Sequence, residues 1–111
     1  MKKHLAWLAL LLLPGTALAY DYPTIDRVEF VLLCMQEHPN KYEYIYKCSC
    51  AIDAIAKELK YDDYVEFYTA SRGQRTGGEA GGVFRDPPEF KAMAKRYDAL
   101  KAKAEKECLI Q

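Results

Sequence analysis

Four cysteines carry the most obvious chemistry in this chain: Cys34, Cys48, Cys50 and Cys108. Four thiols can close two disulfides, for which three connectivities exist, or they can act as thiolates on a soft metal. Cys48-Ser49-Cys50, with Met35 and His38 upstream, is the pair that copper binding or thiol redox chemistry would use. A copper site usually recruits more Met or His than this chain offers, so two disulfides are the expected state. The other concentration of chemistry is the segment 72–86, which holds Arg72, Arg75 and Arg85 among Gly73, Gly77, Gly78, Gly81 and Gly82. Guanidinium groups are planar donors suited to carboxylate or phosphate, and glycines let a partner approach the main chain. Val83-Phe84 adds an apolar pair that a pure linker seldom carries. Arg72, Arg75, Phe84 and Arg85 are therefore the candidate partner-binding residues.

Other chemistries are excluded by what the segments lack. The Gly-rich stretch has no lysine and no preceding strand pattern, so it is not a P-loop, and the dinucleotide pattern G-x-G-x-x-G is missing. Beyond residue 19 His38 is the one histidine, too little for a multi-histidine metal site or a credible hydrolase triad. C-x-x-C-H and C-x-x-C are absent. Asp62, Asp63 and Glu66 lack the loop of an EF-hand, and helix capping accounts for them more simply. The expected protein is not an enzyme; no catalytic residue, metal ligand or cofactor is assigned.

Length and charge narrow the class further. The chain has 111 residues, with 16 basic and 16 acidic side chains. Lys2 and Lys3, the apolar run Leu5–Leu13 and the ending Ala17-Leu18-Ala19 form a secretory signal peptide, residues 1–19. That run is too short to span a bilayer, so no membrane attachment is expected after cleavage. Residues 20–111 then form one small domain, two charges on the acidic side of neutrality, which makes a poor nucleic-acid binder. Export to the periplasm would place the four cysteines in an oxidising compartment, where small domains gain from disulfide staples.

The elements that must position these residues are helical. A short arm, 20–23, leads to a helix capped by Thr24 and running to about His38, with Ile25, Val28, Leu32 and Met35 as its apolar stripe and Val31 beside them. Pro39-Asn40 ends it. A second helix, about 42–60, carries Ile45, Cys48, Ile52, Ile55 and Leu59, with Ala51 and Ala56 allowing close approach. The short link makes the two an antiparallel hairpin. Asp63 and Glu66 resemble a capping box for a short third helix ending near Ser71, which buries some of Tyr64, Val65, Phe67 and Tyr68. A fourth helix, with Asp86 as cap and Pro87 at its first position, reaches about Cys108 on a stripe of Phe90, Met93, Tyr97, Leu100 and Ala104. Its other face carries Lys91, Lys95, Arg96, Lys101, Lys103 and Lys106, expected to be solvated. The fold class is all-α, with a Gly-rich loop 72–86 that lacks structure of its own.

Helical phase ranks the disulfide pairings. Cys48 and Cys50 point about 200° apart, Cys48 on the apolar stripe of the second helix. Cys108 extends the stripe of the fourth helix, whereas Cys34 and Cys50 lie off theirs. Like facing like favours Cys34–Cys50 and Cys48–Cys108; the competing pattern, Cys34–Cys48 with Cys50–Cys108, needs a modest rotation. Tyr42, Tyr44 and Tyr46 cannot all face one core, so some must lie at the surface or meet the arm with Tyr20 and Tyr22. Tyrosine is a good interface residue, which gives weak support to a binding surface.

Three segments together resemble a family of small exported bacterial proteins of unassigned function: Cys34-Met35-Gln36-Glu37-His38-Pro39, Lys47-Cys48-Ser49-Cys50-Ala51-Ile52-Asp53-Ala54-Ile55-Ala56, and Tyr61-Asp62-Asp63-Tyr64. The family pattern is a cysteine closing one helix, C-S-C opening the next, and a loop G-G-x-x-G-G-V-x-R-D, here Gly77 to Asp86. The resemblance implies an accessory role beside periplasmic quinoprotein (PQQ) alcohol dehydrogenases and c-type cytochromes, and it brings no catalytic motif. The expected function is a periplasmic binding protein that docks a partner protein, such as a PQQ-dependent dehydrogenase or a cytochrome c. A metal (copper) or thiol-redox carrier using Cys48 and Cys50 is the alternative.

Overall fold

A computed structural model describes residues 21–111, the side chain of Phe84 excepted; the expected signal peptide lies outside the described residues. Five helical elements follow in order: α1 (Thr24–Gln36), α2 (Tyr44–Glu58), α3 (Tyr61–Gln74), α4 (Gly82–Arg85) and α5 (Pro88–Glu107). Among the described residues there is no strand, and the all-α class is as expected. No helix there is long and apolar enough to cross a membrane.

Local chemistry sets the boundaries. Pro23, rather than Thr24, occupies the cap position of α1, and no side chain caps it. Asn40 takes a left-handed conformation (φ 64°) after Pro39, which reverses the chain in a short turn. The capping box does not form: α3 begins two residues before Asp63, at Tyr61, with extended Lys60 ahead of it. Asp62 and Asp63 lie instead in the first turn, where negative charge suits the helix dipole. The last helix starts one residue later than expected, with Pro87 as cap and Pro88 first, because each proline disfavours helix in the residue before it. Its end closes with Ile110 N–H donating to Glu105 and Leu109 N–H to Lys106, Leu109 being left-handed.

The hairpin is antiparallel. Arg27 Nη1 meets Asp53 Oδ1 at 2.7 Å near one end, and Cys34 joins Cys48 near the other. Cys50 is bonded to Cys108, and Lys103 Nζ meets Glu58 Oε1 at 2.5 Å further along, so α5 also runs antiparallel to α2. The packing order is thus α1 on α2, α2 on α5 and α5 on α3. Cys48, Ala51, Ile52, Ile55 and Ala56 form the sealed centre, as the α2 stripe predicts.

Two expectations fail together. The α1 stripe of Ile25, Val28 and Leu32 faces outward (Ile25 71% and Leu32 57% exposed), and the buried residues of α1 are Phe30 and Cys34. Residues 30–35 are Phe-Val-Leu-Leu-Cys-Met, apolar all round the helix, so periodicity could not select the face that packs. With α1 turned, Cys34 joins the buried surface and pairs with buried Cys48, while Cys50 pairs with Cys108. The favoured Cys34–Cys50 and Cys48–Cys108 bridges are therefore replaced by the competing pattern. Like meets like at one bridge alone: Cys34 and Cys48 are both buried, whereas exposed Cys50 is bonded to buried Cys108. Two disulfides mark the chain as a protein of an oxidising compartment.

A cluster of tyrosines fastens the arm to the core. Tyr22 is buried and donates its hydroxyl hydrogen to the Leu59 carbonyl at 2.6 Å. Its ring lies 4.8 Å from Tyr64 and 5.5 Å from Tyr61, and Tyr64 continues to Tyr68 and Tyr97. Burial raises the pKa values of Tyr22, Tyr64 and Tyr97 well above the ordinary value near 10. Of the triplet that opens the second helical segment, Tyr44 is buried and stacks on His38 at 4.1 Å, whereas Tyr42 and Tyr46 are exposed.

Candidate functional site

The segment 72–86 is not the single functional loop that its glycines suggest. Its first residues belong to α3, and Gly82–Arg85 form a turn of helix. Arg85 donates to the carbonyls of Thr76 (2.9 Å) and Gly78 (2.8 Å), folding the loop on itself. A Cβ at Gly81 would collide with the Thr76 carbonyl oxygen, so this fold requires glycine there. Arg85 thus serves the loop's own shape, and the Phe84 side chain lies outside the described residues.

Arg72 and Arg75 point elsewhere. Three residues apart near the end of α3, they share one face, and that face borders a cleft between α1, α3 and α5. The cleft has a volume of about 290 Å³. Phe30 and Leu33 from α1, Tyr68 from α3 and Tyr97 from α5 supply its apolar surface. Lys101, one turn beyond Tyr97 on α5, completes a rim of three cations. The sequence offered Lys101 only as part of a solvated face. Its side chain is in fact 21% exposed and turned towards Glu37, the residue that follows α1, unlike the exposed Lys91, Lys95 and Lys106.

The rim cations are held loosely. Arg72 lies 3.8 Å from Glu29, Arg75 3.8 Å from Asp98, and Lys101 3.6 Å from Glu37 and 3.5 Å from Glu105. Charge-assisted hydrogen bonds run about 2.7–2.9 Å, so these pairs leave donor capacity at the mouth of the cleft. By contrast, Arg27 with Asp53 and Lys103 with Glu58, away from the cleft, are in direct contact. Arg72 also donates to Tyr68 Oη at 3.2 Å and lies over the Tyr68 ring, 5.6 Å from its centre, which holds the guanidinium above the floor. Ser71 is buried and donates to Asp98 Oδ1 at 2.9 Å, so Asp98 already has a closer partner than Arg75.

A second groove lies on the other side of α1. Val28, Val31, Leu32 and Met35 of α1 line an open groove of about 360 Å³ together with Ile45 and Ile52 of α2, with Arg27 and Asp53 at its edge already joined to each other. Its surface is almost wholly apolar.

The four cysteines leave no thiol for a metal or for exchange, since Cys48 and Cys50 are bonded to different partners. Among the described residues no three His, Cys, Asp or Glu side chains converge as a metal site. No protein-family model matches the chain, and neither a curated protein nor a solved structure is detectably similar to it. The site must therefore be judged on its own geometry.

Proposed function

We propose that this is an exported accessory protein of the bacterial periplasm that docks a partner protein through the cleft between α1, α3 and α5. One observation carries the reading: Arg72, Arg75 and Lys101 converge over Phe30, Leu33, Tyr68 and Tyr97, with their own carboxylates no closer than 3.5 Å. Arginine and aromatic side chains around a preformed recess are what interface hot spots use. The complementary surface is acidic and apolar together. Two of the four residues expected to bind the partner, Arg72 and Arg75, retain that role; Lys101 joins them, and Arg85 becomes a loop residue. The proposed setting is alcohol oxidation, with a quinoprotein (PQQ) dehydrogenase or a c-type cytochrome as partner; its support is the C…C-S-C and Gly-rich loop resemblance alone.

Affinity capture from periplasm tests this. Wild type and Arg85→Gln are expected to retain the same partner, and Arg72→Glu/Arg75→Glu is expected to lose it. Equal recovery by all three rejects docking at the cleft. Mass spectrometry of the retained protein tests the quinoprotein setting separately. A copper or thiol-redox carrier would need free Cys48 and Cys50; an intact mass lacking four hydrogens rules out that alternative, and four thiols with bound metal would restore it.

A further inference from the structure

We infer that the cleft recognises a carboxylate and a large apolar side chain carried on one residue, as at the C-terminus of a partner chain. This rests on the docking reading above and gives it a chemistry. The volume, about 290 Å³, is at the lower end of ligand sites and suits one large side chain rather than a long ligand. Phe30, Leu33, Tyr68 and Tyr97 offer that side chain apolar and aromatic contact. The donors stand on the rim of the same recess, so the anion must lie close to the base of the side chain. An α-carboxylate is attached to the same Cα as its side chain and meets both demands with one residue. An internal Glu carries its charge at the tip of its own stem and would leave the apolar floor to a neighbour.

The size of the charge is limited by all the groups that face the rim. Three cations, Arg72, Arg75 and Lys101, stand among four carboxylates, Glu29, Glu37, Asp98 and Glu105. That set sums to one negative charge, so it repels a dianion more than a monoanion, and a monoanion is held only where Arg72 and Arg75 meet it with directed bonds. A carboxylate accepting from Arg72 and Arg75 at hydrogen-bond distance replaces contacts of 3.8 Å with directed, charge-assisted bonds. Arg72 is already positioned over Tyr68, so little ordering is needed to present its donors.

Peptide titrations of the oxidised protein, followed by amide NMR shifts, test the inference. The probes are a hexapeptide ending in Phe as free acid, the same peptide as its C-terminal amide, and N-acetyl-phenylalanine. The free-acid peptide should shift residues around Tyr68 and Tyr97, bind about tenfold or more tightly than its amide, and lose that advantage in Arg72→Gln/Arg75→Gln. It should also outbind N-acetyl-phenylalanine, because residues before the terminus add contacts. Equal binding of acid and amide overturns the carboxylate. Equal binding of peptide and free amino acid derivative overturns the chain terminus as its source. If no probe binds, while partner capture still depends on Arg72 and Arg75, the carboxylate inference fails and docking stands. If capture ignores the arginines, docking itself fails.

Discussion

The two grooves that flank α1 are made by one 13-residue helix, yet they differ in everything except size. On the α2 side, Val28, Leu32 and Met35 line an open groove with Ile45 and Ile52, and the charges at the edge are spent on each other. Towards α3 and α5, Phe30 and Leu33 meet Tyr68 and Tyr97 beneath three loosely paired cations. Apolar contact is non-directional and would accept many shapes, so the first groove names no ligand. Directed donors fix a distance and an orientation, so the docking proposal rests on the second. The wall that both share is α1, and α1 is held by the Cys34–Cys48 bridge.

The sharpest way to break the comparison is through the disulfides. Removing Cys50–Cys108, whose partners are 58 residues apart, should cost about 4 kcal/mol by chain entropy; removing Cys34–Cys48, 14 apart, about 3 kcal/mol. Urea denaturation of Cys50→Ala/Cys108→Ala and Cys34→Ala/Cys48→Ala would measure both. The smaller loss should nevertheless do more damage to the two grooves, seen as faster hydrogen exchange in α1. Exchange in α1 unchanged from wild type would mean that packing alone fixes the helix.

Alkaline titration separates the grooves by their floors. Tyr97 lines the cationic cleft and Tyr64 packs against it, and burial raises their pKa values along with that of Tyr22. A group whose folded pKa is raised favours folding while protonated, and the unfolded state loses its proton first. Stability should therefore be level below about pH 10 and fall as pH rises beyond it. Denaturant midpoints at pH 8, 10 and 11, with tyrosinate absorbance, follow this; buried tyrosines that ionise without unfolding would contradict it.

The smallest effect is a contrast in function at constant stability. Val28→Ser/Leu32→Ser and Arg72→Gln/Arg75→Gln change exposed residues, so each pair should stay within about 1 kcal/mol of wild type. Only the arginine pair should weaken the free-acid peptide. Equal weakening by the α1 pair would join the two grooves into one surface.

Much of this architecture was legible in the residues. The α2 stripe, the close alanines, the short link after Pro39 and the proline start of α5 each have a local cause, and the structure follows them to within a residue or two. The face of α1 was not legible, because residues 30–35 are apolar in every direction and several rotations bury comparable area. The pairing of the cysteines was lost with it. The Gly-rich segment draws attention to Arg72 and Arg75, which the structure places in the last turn of α3 and at its C-cap, bordering the cleft, whereas Gly78 and Gly81 serve the turn that Arg85 closes.

The sequence by itself determined a helical, disulfide-bearing domain and the residue types able to hold an anion, because periodicity, caps and cysteine count are local properties. Only the tertiary structure decided which face of α1 is buried, which sulfurs meet, and that Lys101 stands with Arg72 and Arg75. Those outcomes depend on contacts between segments tens of residues apart, where the packing of α3 against α5 and of Tyr22 against Tyr64 selects one arrangement among several that the local pattern allows.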